Sequence, residues 1–351
     1  MENKVFKFPS VEALRHVIQN VSHRARYTGV DENGDPIYDE ERELPTLDFR
    51  GTVKLHGSNG GIVWQWNPLA FEYVMQVQSK NRILTPTSDN GGFAAFIYTK
   101  KMDTLLAKIM KVHGDDLGYT PQVVRLYGEW CGGNIQKGVA LNQLDKMFVV
   151  FAIKIDDAWL SDDKLAEIKW PEEGIYNILD YPTYNVTIDF NKPKEAAEKM
   201  GKMVEEVEKE CPVGKAFDVS GVGEGIVWAC TTKGWEGSKY WFKTKGDEHK
   251  SSGSKEKVPV DIERVNSINT LVDTFLTESR LEQGLDHLKE MQHEMSRKST
   301  GHYLKWVSDD VVKEELDTII GNGFDVKEIT KAVSNKARKW FFNKLDEGLG
   351  L

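Results

Sequence analysis

Apolar residues fall in short extended runs over most of the chain and recur at helical spacing over its last quarter. Val11, Leu14, Val17, Ile18 and Val21 lie three or four apart, which predicts an amphipathic helix over 10–25, with Ser10 as its cap after Pro9. Strands are predicted at Phe49–Val53 and Ile62–Trp66, on either side of a turn-like segment that begins at Lys54, and at Tyr73–Gln78, Val123–Tyr127 and Met147–Ile153. Residues 92–112 carry Phe93, Phe96, Ile97, Leu105, Leu106, Ile109 and Met110 and read as helical, as do the Lys-, Glu-, Ala- and Met-rich residues 192–210. Two more strands are predicted at Gly225–Trp228 and Ser238–Lys243, while residues 28–45, with Asn33-Gly34-Asp35-Pro36, read as an acidic surface loop. Strands gathered with a few helices predict an α+β domain built on antiparallel sheets.

The pattern changes after residue 245. Gly246–Lys257 is polar with no apolar period and reads as a linker or loop. After Pro259 nearly everything is periodic, with candidate helices over 261–278, 281–297, 308–320 and 326–346. Asp325 and Glu328 form a candidate capping box, and Gly321-Asn322-Gly323 a helix stop. The expected organisation is a domain over 1–250, a linker over 251–260 and a smaller all-helical domain over 261–351.

At 351 residues the chain can hold two cores. Its first residues lack the apolar stretch of a secretory signal, and no apolar run reaches the length of a membrane span. Cys131, Cys211 and Cys230 are odd in number and widely spaced, so a disulfide framework is not expected and a reducing cytoplasm is the natural compartment. A net charge of −9 argues against a protein that coats nucleic acid, though not against an enzyme with basic groups gathered in one groove.

The candidate chemistry begins at Lys54-Leu55-His56-Gly57-Ser58-Asn59-Gly60-Gly61, a lysine at a strand end, beside a tight turn and before a returning strand. Lysine becomes a nucleophile when burial or neighbouring cations disfavour its ammonium form. Gly57 would let the backbone pass close to a phosphate or base. Lys-x-x-Gly alone is common, and an exposed hairpin lysine is the bland reading. Downstream, Lys243 and Lys245 lie two apart on a strand and share one face, and Glu129 and Glu224 end apolar strands. Taken singly, each is an ordinary solvent-facing strand residue. Gly221-Val222-Gly223-Glu224-Gly225 does not open a helix, so it is a turn and not a dinucleotide fingerprint.

Six pieces in order carry a family likeness: Lys54-Leu55-His56-Gly57, Ser79-Lys80-Asn81-Arg82, Tyr127-Gly128-Glu129, Phe148–Ile153, Glu224-Gly225-Ile226-Val227 and Lys243-Thr244-Lys245. The sequence resembles the covalent nucleotidyltransferases, the ATP-dependent ligases and capping enzymes, and within them the phage-type RNA ligase 2 family. His56, Asn59 and the segment Gly133–Val139, with its Ile135-Gln136-Lys137, favour that branch. The resemblance covers 1–250 and the helical tail only in kind. It implies an ATP-dependent RNA ligase with Lys54 as the nucleophile that takes AMP from ATP. Lys243 and Lys245 would stabilise charge on the α-phosphate and favour the neutral amine of Lys54, Glu129 would hold the ribose, and Phe151 would stack on adenine. Glu224 is assigned to the region of a divalent cation, Mg2+ or Mn2+, and Asn59 to a metal-bound water or simply the turn. His56 would contact the leaving pyrophosphate or the surroundings of Lys54, or carry no chemistry. Lys80 aligns one way and Arg82 another with a family arginine that contacts ribose and 5′-phosphate. Ala152 departs from the acidic residue that often follows the stacking Phe.

The implied partner is RNA, most simply a nicked duplex, with a monomeric enzyme, no membrane, and a phage-infected host cytoplasm as the setting. Arg264, Arg280, Arg297, Lys298, Lys336, Arg338 and Lys339 of the tail are candidates for phosphate contact, against the ordinary reading of solvated helix faces. Two other readings stay open: a DNA ligase or capping-type enzyme, disfavoured by a helical tail in place of a β-barrel, and a nucleic-acid-binding relic of the same fold, disfavoured by the retained lysines.

Overall fold

The computed structural model describes residues 4–114, 119–133, 135–246, 268–321 and 323–348. The chain divides into two compact units, Met1–Gly246 and Asp247–Leu351.

The first unit is built on two sheets. Its strands are β1 (Tyr27–Val30), β2 (Pro36–Tyr38), β3 (Thr46–Lys54), β4 (Ser58–Asn67), β5 (Glu72–Ser79), β6 (Ile83–Leu84), β7 (Val123–Cys131), β8 (Met147–Ile155), β9 (Ala158–Trp159), β10 (Ile175–Asn177), β11 (Thr183–Asp189), β12 (Gly225–Cys230) and β13 (Phe242–Lys245). One sheet has the order β11-β3-β12-β13 and is antiparallel throughout. The other runs β10-β8-β7-β4-β5-β6, with β9 added on β8, and its β10–β8 pair is parallel. A separate hairpin joins β1 to β2.

Alternation assigns the faces. On β3, Leu47, Phe49 and Val53 are buried and pack with Ile226 and Trp228 of β12 against Met200, Val204 and Val207 of the helix Pro193–Lys209. The even-numbered residues of β3, Lys54 among them, take the other face. On β7 and β8, Leu126, Trp130, Phe148 and Val150 pack against Phe93 and Ile97 of the helix Phe93–Tyr98 and Leu105 and Ile109 of the helix Met102–His113. That leaves Glu129 and Val149 on the opposite side of the seven-stranded sheet, where Val149, Cys131 and Leu55 join the cluster that includes Phe49 and Trp228.

Several expectations are corrected. The first helix is Leu14–Arg26, its N-cap is Ala13, and no side chain caps it, so Ser10 lies outside it. Residues 28–45 hold most of the β1–β2 hairpin, not a plain loop. Residues 92–112 form two helices, with a break at Thr99–Lys101. Ser238–Tyr240 is a 3-10 turn, and the strand begins at Phe242. The turn after Lys54 is not a hairpin, because β3 and β4 belong to different sheets.

In the second unit the helices are Ile268–Phe275, Glu278–Glu290, Thr300–Gly321 and Val326–Gly348. Thr277 accepts the amide of Arg280 as an N-cap, and Asp325 accepts that of Lys327. The third helix starts eight residues before the sequence reading placed it. The expected linker over 251–260, Arg264 and the Asn322 of the helix stop lie outside the described residues. No helix among the described residues is long and apolar enough to cross a membrane.

Arg280 overturns its expected role as a phosphate contact. It is fully buried, its Nε 2.8 Å from Asp310, its Nη1 donating to the Phe275 carbonyl at 2.7 Å and its Nη2 3.5 Å from Glu315. A guanidinium enclosed by two carboxylates and a helix-end carbonyl fixes packing and cannot reach a phosphate. Arg297 pairs with Asp346, Lys298 with Glu294 and Lys336 with Asp273, whereas Arg338 and Lys339 are exposed. Arg280→Met strips Glu315, itself buried, of its guanidinium, and urea unfolding should show a loss of about 3–5 kcal/mol. A loss below about 1 kcal/mol would show that the charges are dispensable to the packing.

Candidate functional site

Lys54 closes β3, and its register partner on β12 is Gly225, which also faces Lys245 on β13. Three adjacent strands therefore bring Lys54 and Lys245 to the two flanks of the residue after Glu224. Gly225 is required here: at φ +150 an added Cβ would lie 2.1 Å from the Thr244 carbonyl oxygen. Glu224, 2% exposed, receives Lys54 Nζ on Oε2 at 2.6 Å and Lys245 Nζ on Oε1 at 3.0 Å. His56 Nδ1 stands 3.4 Å from the same Oε2. The carboxylate is thus held between two ammonium groups.

Glu129 approaches from the other sheet. It lies opposite Asn59 in the β4–β7 register, so the two side chains share a face, and its Oε1 accepts the Gly57 amide at 3.0 Å. Gly57 fits this contact closely, since a Cβ would lie 2.4 Å from the Trp130 carbonyl oxygen and 2.9 Å from Cys131 Cβ. Here the close approach that this glycine permits is to β7.

The electrostatics follow from burial and pairing. Burial works against the charged form of Lys54, but Glu224 and then Glu129 outweigh it, and its pKa is raised. This reverses the expectation that neighbouring cations would favour the neutral amine. Glu224 lies between the lysines, so Lys54 keeps its proton while that contact lasts. Lys245 moves the other way, lowered by burial, which Glu224 opposes and the charges of Lys54 and Lys243 reinforce. Glu224 is held well below the usual range; burial would raise it, but Lys54, Lys245 and His56 together prevail.

Burial pushes Glu129 up to about 7, against the pull of Lys54 and with a push from Glu224. The sign is clear. The folded state holds a proton that the unfolded chain, at 4.5, releases earlier, so this group's stabilising effect declines as pH rises from 4.5 to about 7. Glu129→Gln should therefore melt at a progressively higher temperature relative to the parent across that window. Parallel melting profiles for the two proteins would refute the buried-carboxyl account.

Phe151 and Phe148 point to opposite faces of β8. Phe148 is buried among the helices, while Phe151 is half-buried on the side of Glu129 and Val149. Alternation alone puts Phe151 on that side, and a β-bulge begins at it: Gly128 pairs with Val150 and Tyr127 with Ala152, leaving Phe151 without a partner on β7. Lys243 lies opposite Val227 on β13 and, two residues from Lys245, shares its face.

The Ser79–Arg82 segment forms the tight β5–β6 turn. Lys80 is exposed at its tip, whereas Arg82 curls back to donate to the Ser88 carbonyl at 3.0 Å and the Asp89 carbonyl at 2.5 Å. The structure thus gathers Lys54, His56, Glu224 and Lys245 in direct contact, with Glu129 on the adjoining turn. Arg82 instead supports the Thr85–Gly92 loop. That loop holds a residue the sequence reading missed, Asn90, whose amide donates to Ser58 Oγ at 2.7 Å and ties the loop to the lysine turn. Its only sequence signal is the polar, glycine-ended run Thr85–Gly92.

Among the described residues no three His, Cys, Asp or Glu side chains cluster as a closed metal cage. Two carboxylates beside lysines suit a cation that keeps most of its shell as water and phosphate oxygens.

A family model described as RNA ligase matches residues 48–245, more than half of the 351 residues and a span that includes every site residue named above. Comparison with curated proteins finds no match. Among solved structures, a mutant Naegleria gruberi RNA ligase with AMP and Mn is similar at 15% identity and a TM-score of 0.41, over 70% of this chain and 60% of that one. Another mutant of that ligase, with ATP and Mn, gives 16% and 0.40 over 70% and 60%, and an apo mutant 17% and 0.42 over 70% and 57%. The chain spans about three-fifths of the length of those ligases.

Proposed function

Because the chain belongs to the RNA ligase family, we propose that it is an ATP-dependent RNA ligase that joins a 5′-phosphate to a 3′-hydroxyl at breaks in duplex RNA. The observation that carries the reading is the Glu224 carboxylate clasped by Lys54 and Lys245 at the mouth of two sheets, with Glu129 beside it.

The chemistry has three steps. Lys54, having lost its proton, attacks the α-phosphorus of ATP; a P–N bond forms, the bond to the β-phosphate oxygen breaks, and pyrophosphate leaves. An oxygen of the RNA 5′-phosphate then attacks the same phosphorus, the P–N bond breaks, and the AMP is carried on the RNA end. Finally the 3′-hydroxyl attacks the RNA phosphorus, and AMP departs as the phosphodiester forms.

Lys54 must let go of Glu224 to become neutral. The α-phosphate, arriving beside Lys245 and Lys243, competes for the ammonium contacts and supplies that release, while the two lysines stabilise its developing charge. Glu129 holds the ribose and Phe151 stacks on the base. A divalent cation, Mg2+ or Mn2+, supplies charge neutralisation on the phosphates when bound; Glu224 would hold it, with Asn59 through water. His56, 3.4 Å from Glu224, orients that carboxylate.

The test is a panel of 5′-phosphorylated substrates: nicked RNA duplex, nicked DNA duplex and unpaired RNA ends, each with ATP or GTP. Sealing of nicked RNA with ATP supports the proposal. Preference for nicked DNA, or labelling by GTP alone, would transfer it to the DNA-ligase or capping-type reading. Failure to form any protein–AMP adduct would revive a binding relic.

A further inference from the structure

The segment Lys4–Phe8, before the family-matched span, is pinned across the seven-stranded sheet. Gln76 and Gln78 of β5 are buried at 9% and 1% exposure, and they spend their amides on it. Gln78 accepts the Phe6 amide at 3.0 Å and donates to the Phe6 carbonyl at 2.7 Å, and Gln76 donates to the Lys4 carbonyl at 3.0 Å. Tyr127 Oη adds a bond to the Phe6 carbonyl at 3.1 Å. The buried amides would lose their partners if the segment lifted away, so its backbone is fixed in place.

The fixed backbone delivers Phe8 to Phe151. Their ring centroids are 5.0 Å apart at 66°, an edge-on contact. Phe8 also stacks on Trp241 at 5.6 Å and 22°, and meets Tyr127 at 5.2 Å and Trp159 at 5.8 Å. Trp241 precedes β13 of the four-stranded sheet, whereas Tyr127, Phe151 and Trp159 come from the other. Among the described residues, Phe8 is the aromatic ring in contact with Phe151. The bulge leaves Phe151 without a cross-strand partner on β7, so this contact supplies the lateral restraint that the ladder does not.

We infer that Phe8 is a positioning residue: held by Gln76, Gln78 and Trp241, it fixes the ring of Phe151 at the angle at which a nucleobase stacks. The inference rests on the ligase reading and goes beyond it by assigning base recognition in part to the N-terminal segment. The base itself touches Phe151, and Phe8 acts through it.

The experiment measures protein–AMP formation against ATP concentration for the parent chain, Phe8→Ala, Phe8→Tyr and Phe151→Leu. Phe8→Ala should raise the KM for ATP about tenfold with kcat changed less than about twofold, Phe8→Tyr should restore the parent KM, and Phe151→Leu should raise it at least as far. A merely structural Phe8 would lower the active fraction, so kcat would fall with KM unmoved, and that result overturns the inference. So does a lower KM in Phe8→Ala, which would mean that the ring covers the place of the base. If Phe8→Ala proves poorly folded, Phe8→Leu keeps the apolar bulk without the aromatic edge, and an unchanged KM there overturns the inference equally. No label on the parent protein would instead overturn the ligase reading itself.

Discussion

Lys54→Ala abolishes transfer of label from α-³²P-ATP to the protein, a loss of roughly 10^6-fold in the rate of adduct formation. The nucleophile is gone, and no nearby group replaces it: Lys245 lies on the far oxygen of Glu224, on β13, and not at the position that Lys54 occupies at the end of β3. The fold survives, because Glu224 retains Lys245 and His56. Lys54→Arg is the sharper companion. It keeps a cation against Glu224, yet a guanidinium holds its proton throughout the accessible pH range and is no nucleophile. Both variants should melt close to the parent and carry no label on a denaturing gel. Persistent acid-labile label on either would remove Lys54 from the chemistry.

Glu224→Gln strikes both stability and rate. Two ammonium groups on the strands flanking β12 are then left without their shared counter-charge, and the fold should lose about 3 kcal/mol at neutral pH. The sign with pH is fixed by the depressed Glu224 carboxyl. Its contribution is present above the unfolded value of 4.5 and fades as pH falls through the lower folded value, so parent and variant converge in acid. Adduct formation should fall about 10^2- to 10^3-fold, since Lys54 and Lys245 lose the group that aligns them. The remaining activity carries a signature: without Glu224 to raise it, the Lys54 amine deprotonates more readily, and the alkaline-rising limb of the rate moves to lower pH. A rate profile that keeps its position while the amplitude drops would count against Glu224 as the group that sets the proton affinity of Lys54.

The residues of the cleft were legible in the sequence because chemistry constrains type and order. A lysine at a strand end, two strand-end glutamates and a Lys-x-Lys pair remain recognisable whatever lies between them. Their mutual placement was not legible, because it depends on pairing between β3 and β12, separated by some 170 residues, and periodicity says nothing about partners. For the same reason the Lys54 turn read as a hairpin. Two runs beside a Gly/Ser/Asn turn carry a hairpin signal, and only the sheet assignment shows that they diverge. Short strands such as β10, at three residues, are below what alternation can signal, and Arg280 has no local feature that separates a buried guanidinium from one on a solvated helix face. Phe151 shows the reverse case. Its neighbour Phe148 made it look like core, yet an odd spacing of three residues puts the two rings on opposite faces of β8.

The divergence of β3 and β4 also has a mechanical meaning. Lys54, Glu224 and Lys245 ride on one slab of backbone, whereas Glu129, Asn59 and Phe151 ride on the other, and the three residues between Lys54 and Ser58 are a short tether joining them. Leu55 of that tether and Val149 and Cys131 of the second slab share a core with Phe49 and Trp228 of the first, so the gap between the amine and the Glu129 side is set by apolar packing, independently of the charges that hold the lysine.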